Sequence, residues 1–190
     1  PIAELADSRE PQLMAGILSD CRVINGQRGK LALFKLDDRS GAIEASADEA
    51  VIAASAGLLR DDEFVVASGR LQLDHFSGGL RLKVQQLWSL AGARARFGRY
   101  LHVDSSVQPD VAAIVRAYPP QREESGQGEP LLHGLRVRLA VRCSDPAGGA
   151  PALAELQLGD ASRFFPCDQA LAAWAQQVGA GSLSVIYEMA

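Results

Sequence analysis

The chain has 190 residues, 23 acidic and 19 basic, and a formal net charge of −4. That balance excludes a strongly basic nucleic-acid binder but leaves room for a local basic face, because binding follows local potential rather than the total. Hydrophobic residues make up 47%, much of it alanine, so the length suits one large domain or two small ones with thin cores. The chain starts at Pro1 and reads as an excised or processed piece. The three cysteines, Cys21, Cys143 and Cys167, are far apart and form no Cys-x-x-Cys. A disulfide framework is therefore not expected, and a reducing cytoplasm is the simplest compartment. No apolar run is long enough to span a bilayer, so no membrane association is expected.

Residues 1–12 carry proline at both ends and no period, and read as a linker. Leu13 to Ile24 mixes apolar and small residues, as in a bent first strand. Asn25-Gly26-Gln27-Arg28-Gly29 is a turn signal. Lys30 to Leu36 is a second strand, and Asp37-Asp38-Arg39-Ser40-Gly41 a turn in which aspartate bonds its own backbone. Ala42 to Ala47 is a third strand. Asp48 to Leu59 changes to helical period, with Asp48 as its N-cap. Glu63 to Leu73 and Leu80 to Leu90 are two further strands around an Asp74-to-Gly79 loop. Three strands, a helix and two strands is the order of a five-stranded Greek-key barrel over 13–92.

Residues 93–98 are basic and alanine-rich and read as a connector to a second domain, 99–190. Arg99 to Val103 is a short strand. Pro109 to Tyr118 is a helix, and Pro119 to Pro130 an exposed loop. Leu135 to Arg142 alternates apolar residues with Arg136, Arg138 and Arg142, which predicts a half-buried strand with a basic outer face. Ala152 to Leu158 is a strand, Asp168 to Val178 a helix stopped by Gly179, and Ser182 to Glu188 a last strand. This β-α-β-β-α-β order matches a ferredoxin-like sandwich with a split βαβ unit. Trp88 and Trp174 are expected as core anchors, one per domain.

Catalytic constellations are missing from the sequence. His75, His102 and His133 have no second ligand at metal spacing, so neither metal nor cofactor is expected. The Gly26-to-Leu31 run lacks the spacing of a phosphate loop. Asp37 and Asp38 would point to opposite faces of a strand and cannot jointly grip a cation. The chain by itself is not expected to be an enzyme.

Two stretches carry a family resemblance. Ala15 to Leu18, with Leu36-Asp37-Asp38-Arg39-Ser40-Gly41-Ala42-Ile43-Glu44, resembles the anticodon-binding type of OB-fold. Val66 to Arg70, then Asp74 to Leu82, resembles more closely the OB domain of the alpha subunit of bacterial DNA polymerase III. Ala93 to Leu101 and the β-α-β-β-α-β tail are similar to the segments C-terminal to that domain in the subunit. The resemblance implies the C-terminal region of a DNA-directed DNA polymerase whose active site lies N-terminal to this chain. It implies weak binding of single-stranded template DNA by the OB module. It also implies docking of the clamp-loader tau subunit by the C-terminal domain, with the sliding clamp as a further contact. The rest of the alpha chain would be the remaining partner, and the family's main clamp motif would precede Pro1.

OB-folds bind strands across their second and third strands, closed by the one-two and four-five loops. Phosphates require Lys or Arg, and bases require aromatic faces. The candidates are Arg22, Arg28 and Lys30 around the first loop, His75 and Phe76 in the second, and Arg81 and Lys83 beyond it. Matching to the anticodon-binding type puts Phe34 and Leu36 inside the barrel and Leu33 and Lys35 on the binding face. A stacking aromatic is expected where Leu33 stands, so its absence predicts weak binding. The cations read equally as a plain solvated face, and Phe76 as a lid or a base stacker. Leu183, Val185, Tyr187 and Met189 in the tail read either as a partner surface or as core residues of an edge strand. Two alternatives remain: a tRNA-synthetase anticodon-binding domain, and a docking module without DNA binding. Leu33 and the second domain count against the first.

Overall fold

A strand that serves two neighbours closes the first half of the chain. β1 (Gln12–Gly26) pairs β4 (Phe64–Leu73) through Gln12 to Ile17, and β2 (Gly29–Asp37) through Ile17 to Gly26. A bulge divides its pairing with β2: Ser19 faces Lys35 and Arg22 faces Leu33, so Asp20 and Cys21 together oppose Phe34. Asp20 sits there at a φ of 56°, and such a bulge bends and twists its strand. With β3 (Ala42–Asp48) and β5 (Leu80–Ser89), the order β1-β2-β3-β5-β4 is a closed barrel, β3 and β5 running parallel. This is the OB-fold expected from the element order. The computed structural model describes residues 1–6, 8, 10–26, 29–55, 57–73, 78–123, 130–143 and 152–187.

Period-two alternation sets the barrel core. Ala32, Phe34 and Leu36 of β2 point inward with Ile43, Ala45 and Ala47 of β3 and Leu82, Val84 and Leu87 of β5. Small alanines around Phe34 let the walls close on one large ring. Gly16 is required at the crossing of β1 and β2, where an added Cβ would lie 2.5 Å from the Asp37 carbonyl oxygen. α1 (Glu49–Ala54) adds Val51 to the cluster, and Asp48 caps it by accepting a 3.1 Å hydrogen bond from the Val51 amide. The helix is shorter than the expected run to Leu59: Ser55 is its C-cap, and Gly57 has a φ of 89°.

The first residues are not a bare linker. Ile2 is buried against the barrel, and its amide donates to Asp38 Oδ2 at 2.8 Å. Asp38 Oδ1 accepts from Ser40 Oγ at 2.6 Å and from the Ser40 and Gly41 amides. These bonds, led by the Ser40 hydroxyl and then the Ile2 amide, hold its carboxyl at about 2, against an ordinary 3.8. Trp88 corrects its expected role. It is half-buried on β5, outside the barrel core, because Leu87 takes the inward position.

The chain divides into Pro1–Leu90 and Ala91–Ala190. The expected connector at 93–98 is instead mostly helix, α2 (Leu90–Phe97), with Ala93 and Ala95 buried and Arg94 bonded to Asp168 at 2.5 Å. β6 (Gly98–Ser105), α3 (Val111–Ala117), the ribbon β7 (Gln121–Glu123) and β8 (Leu131–His133), β9 (Arg136–Cys143), β10 (Ala152–Gln157), α4 (Asp168–Val178) and β11 (Leu183–Tyr187) complete the chain order. β7 stands in the stretch expected to be only loop, and residues 124–129 lie outside the described residues.

The sheet order, β10-β9-β6-β11, departs from the ferredoxin-like arrangement. A split unit would insert β10 between β6 and β9, whereas these two pair directly and in parallel. The physical reason lies in β10: every residue from Ala152 to Gln157 is exposed, which suits an edge and not a central strand. Leu101, Val103, Val137 and Leu139 form the inner face, against Ile114, Ala170 and Trp174 of the helices. Trp174 is the expected anchor, fully buried with its ring centroid 5.9 Å from that of Phe164.

Candidate nucleic-acid interface

The outer faces of β1, β2, β3 and β5 frame a groove of about 190 Å³, lined by Arg22, Leu33, Lys35, Arg81, Asp20 and Glu44. The same alternation that buries Phe34 and Leu36 turns Leu33 and Lys35 outward. In β5, Arg81 and Lys83 face out because Leu82 and Val84 face in. Four of the sequence candidates, Arg22, Leu33, Lys35 and Arg81, therefore meet in one groove. Lys30, at the far end of β2 opposite Asn25, is exposed and does not line it. Lys83 is exposed on the same outer surface, opposite Ser46 and Arg70, but is not a lining residue. Arg28, His75 and Phe76 lie outside the described residues.

The groove also holds two acids that the sequence reading missed. Lys35 Nζ lies 2.8 Å from Asp20 Oδ2, and an Arg81 guanidinium nitrogen 2.6 Å from Glu44 Oε2. Each partner shifts the other: Lys35 lowers the carboxyl of Asp20, and Asp20 raises the ammonium of Lys35. Glu44 was readable from the alternation of β3. Asp20 was not, because the bulge that aims it at Lys35 leaves no periodic trace. Three cations against two carboxylates leave the groove lining a surplus of one positive charge. An anion entering the groove must compete with both carboxylates for Lys35 and Arg81.

Cys21 is held protonated, its thiol pushed up to about 11 by burial and then by Asp61. Among the described residues no group of three or more His, Cys, Asp or Glu is placed to hold a metal ion, and no helix is long and apolar enough to cross a membrane.

The tail candidates separate in the structure. Leu183 and Val185 pack against the second core, while Tyr187 is 48% exposed. Met189 lies outside the described residues. The arginines of β9 are mostly engaged: Arg138 lies over the Tyr100 ring at 3.9 Å, and Arg142 binds Asp104 at 2.8 Å.

Residues 13–90 match the family described as OB-fold nucleic acid binding domain. Over 98% of its length the chain is 33% identical to the DNA polymerase III subunit alpha of Pseudomonas aeruginosa, and over 98% it is 26% identical to that of Haemophilus influenzae. It is 31% identical to the Escherichia coli subunit over 83% of the chain. The chain spans about 15% of the length of the first two relatives. The second OB-fold domain of replication protein A from Methanococcus maripaludis aligns with 47% of this chain and 92% of its own, at 16% identity and a TM-score of 0.37.

Proposed function

We propose that this chain acts as the C-terminal, non-catalytic region of a replicative polymerase alpha subunit in the bacterial cytoplasm, and that its barrel binds single-stranded template DNA weakly. The observation that carries this reading is the groove where Arg22, Lys35 and Arg81 converge beside Leu33. Cations supply the phosphate contacts, and the lack of an aromatic at position 33 keeps affinity low. Titration of a labelled oligothymidylate at low and moderate salt tests it. Arg22→Ala with Lys35→Ala should weaken binding and flatten the dependence of log Kd on log salt by roughly 0.7 for each phosphate released from a cation. Equal binding by parent and variant at both salts removes the proposal.

A second activity, docking of the clamp-loader tau subunit, falls to the second unit. The exposed Tyr187 supports this reading, at the end of a strand whose Leu183 and Val185 pack against the core. Deleting the whole strand would unmake that core, so the informative variants are Tyr187→Ala and removal of Glu188, Met189 and Ala190. Undiminished co-purification with tau in both counts against the role.

A further inference from the structure

The second unit carries a cleft that neither reading uses. Arg96 and Phe97 end α2, Gly98 and Arg99 open β6, and Arg136 and Arg163 complete the wall of a cleft of about 390 Å³. The turn from helix to strand fixes this cluster. An added Cβ at Gly98 would lie 2.4 Å from the Arg94 carbonyl oxygen and 2.3 Å from Leu135 Cδ2, so only glycine lets the chain change direction there.

Four guanidiniums line the cleft, and among the described residues no carboxylate does. Asp160 and Glu123, which lie beside three of them, are not among its lining residues. Asp160 Oδ1 is shared, 3.0 Å from Arg136 Nε and 2.8 Å from Arg163 Nε. Glu123 lies 3.6 Å from Arg96. Arg163 also donates to the Gly134 carbonyl at 2.9 Å, which fixes its fork. Asp160 is 66% exposed, against 42% for Arg136 and 20% for Arg163. In a chain of net charge −4, four arginines gathered in one cleft suit an anionic ligand.

Phe97 decides between anions. It lines the same cleft and is 37% exposed. An acidic peptide needs only the guanidiniums, whereas an unpaired strand needs guanidiniums for phosphates and an aromatic face for a base. We propose that this cleft is a second nucleic-acid subsite, which grips the phosphodiester backbone of a single strand with Arg96, Arg99, Arg136 and Arg163 and stacks one base on Phe97.

The test uses the whole chain with Arg22→Ala and Lys35→Ala already in place, so that the barrel groove and the cleft fail separately. An oligothymidylate carrying 5-iodouridine is irradiated and the crosslinked peptide mapped. The crosslink is expected at Phe97. Arg96→Ala with Arg99→Ala should weaken binding by about tenfold at low salt and flatten the salt dependence by roughly 1.4 for two phosphates. Phe97→Leu should weaken binding by roughly tenfold with no change in that slope. Arg96→Lys with Arg99→Lys keeps the charge and should retain most of the slope. If the alanine pair melts early, Phe97→Leu and the crosslink still decide. No crosslink in the 96–99 segment, an unchanged salt slope in a folded alanine pair, or competition by polyglutamate as effective as by unlabelled oligonucleotide each overturns the proposal.

Discussion

Leu33→Tyr should convert a weak groove into a stronger one. Leu33 lines the groove, opposite Arg22 on β1 and Ser46 on β3, and points away from the barrel core that Phe34 fills. Replacing it with an aromatic ring therefore leaves the buried cluster intact. One base stack is worth roughly 1–3 kcal/mol, so Kd should fall by about 5- to 150-fold. Stacking releases no counterions, so the slope of log Kd against log salt should stay that of the parent. Fluorescence anisotropy of a labelled oligothymidylate at two salt concentrations measures both quantities, with a thermal melt as the folding control. A folded Leu33→Tyr chain that binds no more tightly refutes the assignment of the groove as a base-contacting surface. So does a gain accompanied by a steeper salt dependence.

The acids in the groove should act as a brake. Asp20→Asn with Glu44→Gln releases Lys35 and Arg81 from ion pairs of 2.8 and 2.6 Å, and asparagine tolerates the φ of 56° at position 20; tighter oligonucleotide binding with a steeper salt slope is expected in the same anisotropy titration. Phe34→Ala empties the middle of the barrel at a residue only 3% exposed and should cost about 3–5 kcal/mol in urea unfolding, whereas Leu33→Ala should cost far less. Asp38 is held at about 2 against 3.8, so its carboxylate favours the folded state above pH 3.8 and loses that effect as pH falls toward 2. Asp38→Ala should therefore melt below the parent at neutral pH, and the gap should close between pH 4 and pH 2 in a circular-dichroism melt series.

The barrel was largely legible from the sequence because period two fixes which residues face inward. Alternation put Phe34 and Leu36 on one face of β2 and Lys35 on the other, the resemblance to the anticodon-binding OB type said which face is inside, and Asp48 announced its helix. What alternation cannot give is the neighbour. In the second unit the faces of β9 and β6 were readable, but their direct parallel pairing was not, and the expected split unit fell on that point. The site suffered in the same way. Arg22, Lys35 and Arg81 could be named as surface cations, but the carboxylate partners of Lys35 and Arg81 come from a bulge and from a strand 37 residues away. The arginine cleft escaped notice because 93–98 read as a connector, which left Arg96 and Phe97 on no surface and Arg99 alone at the start of a strand.

The free margin of β10 has a practical consequence. Among the described residues no strand pairs with its outer side, and Leu153 is 72% exposed on it. A bare row of amides and carbonyls beside a large apolar side chain is a template on which a second chain can lay down a strand. Concentrated preparations of this polypeptide should then tend to self-associate through that rim, and a lysine at position 153 is the conservative way to blunt it without touching the interior.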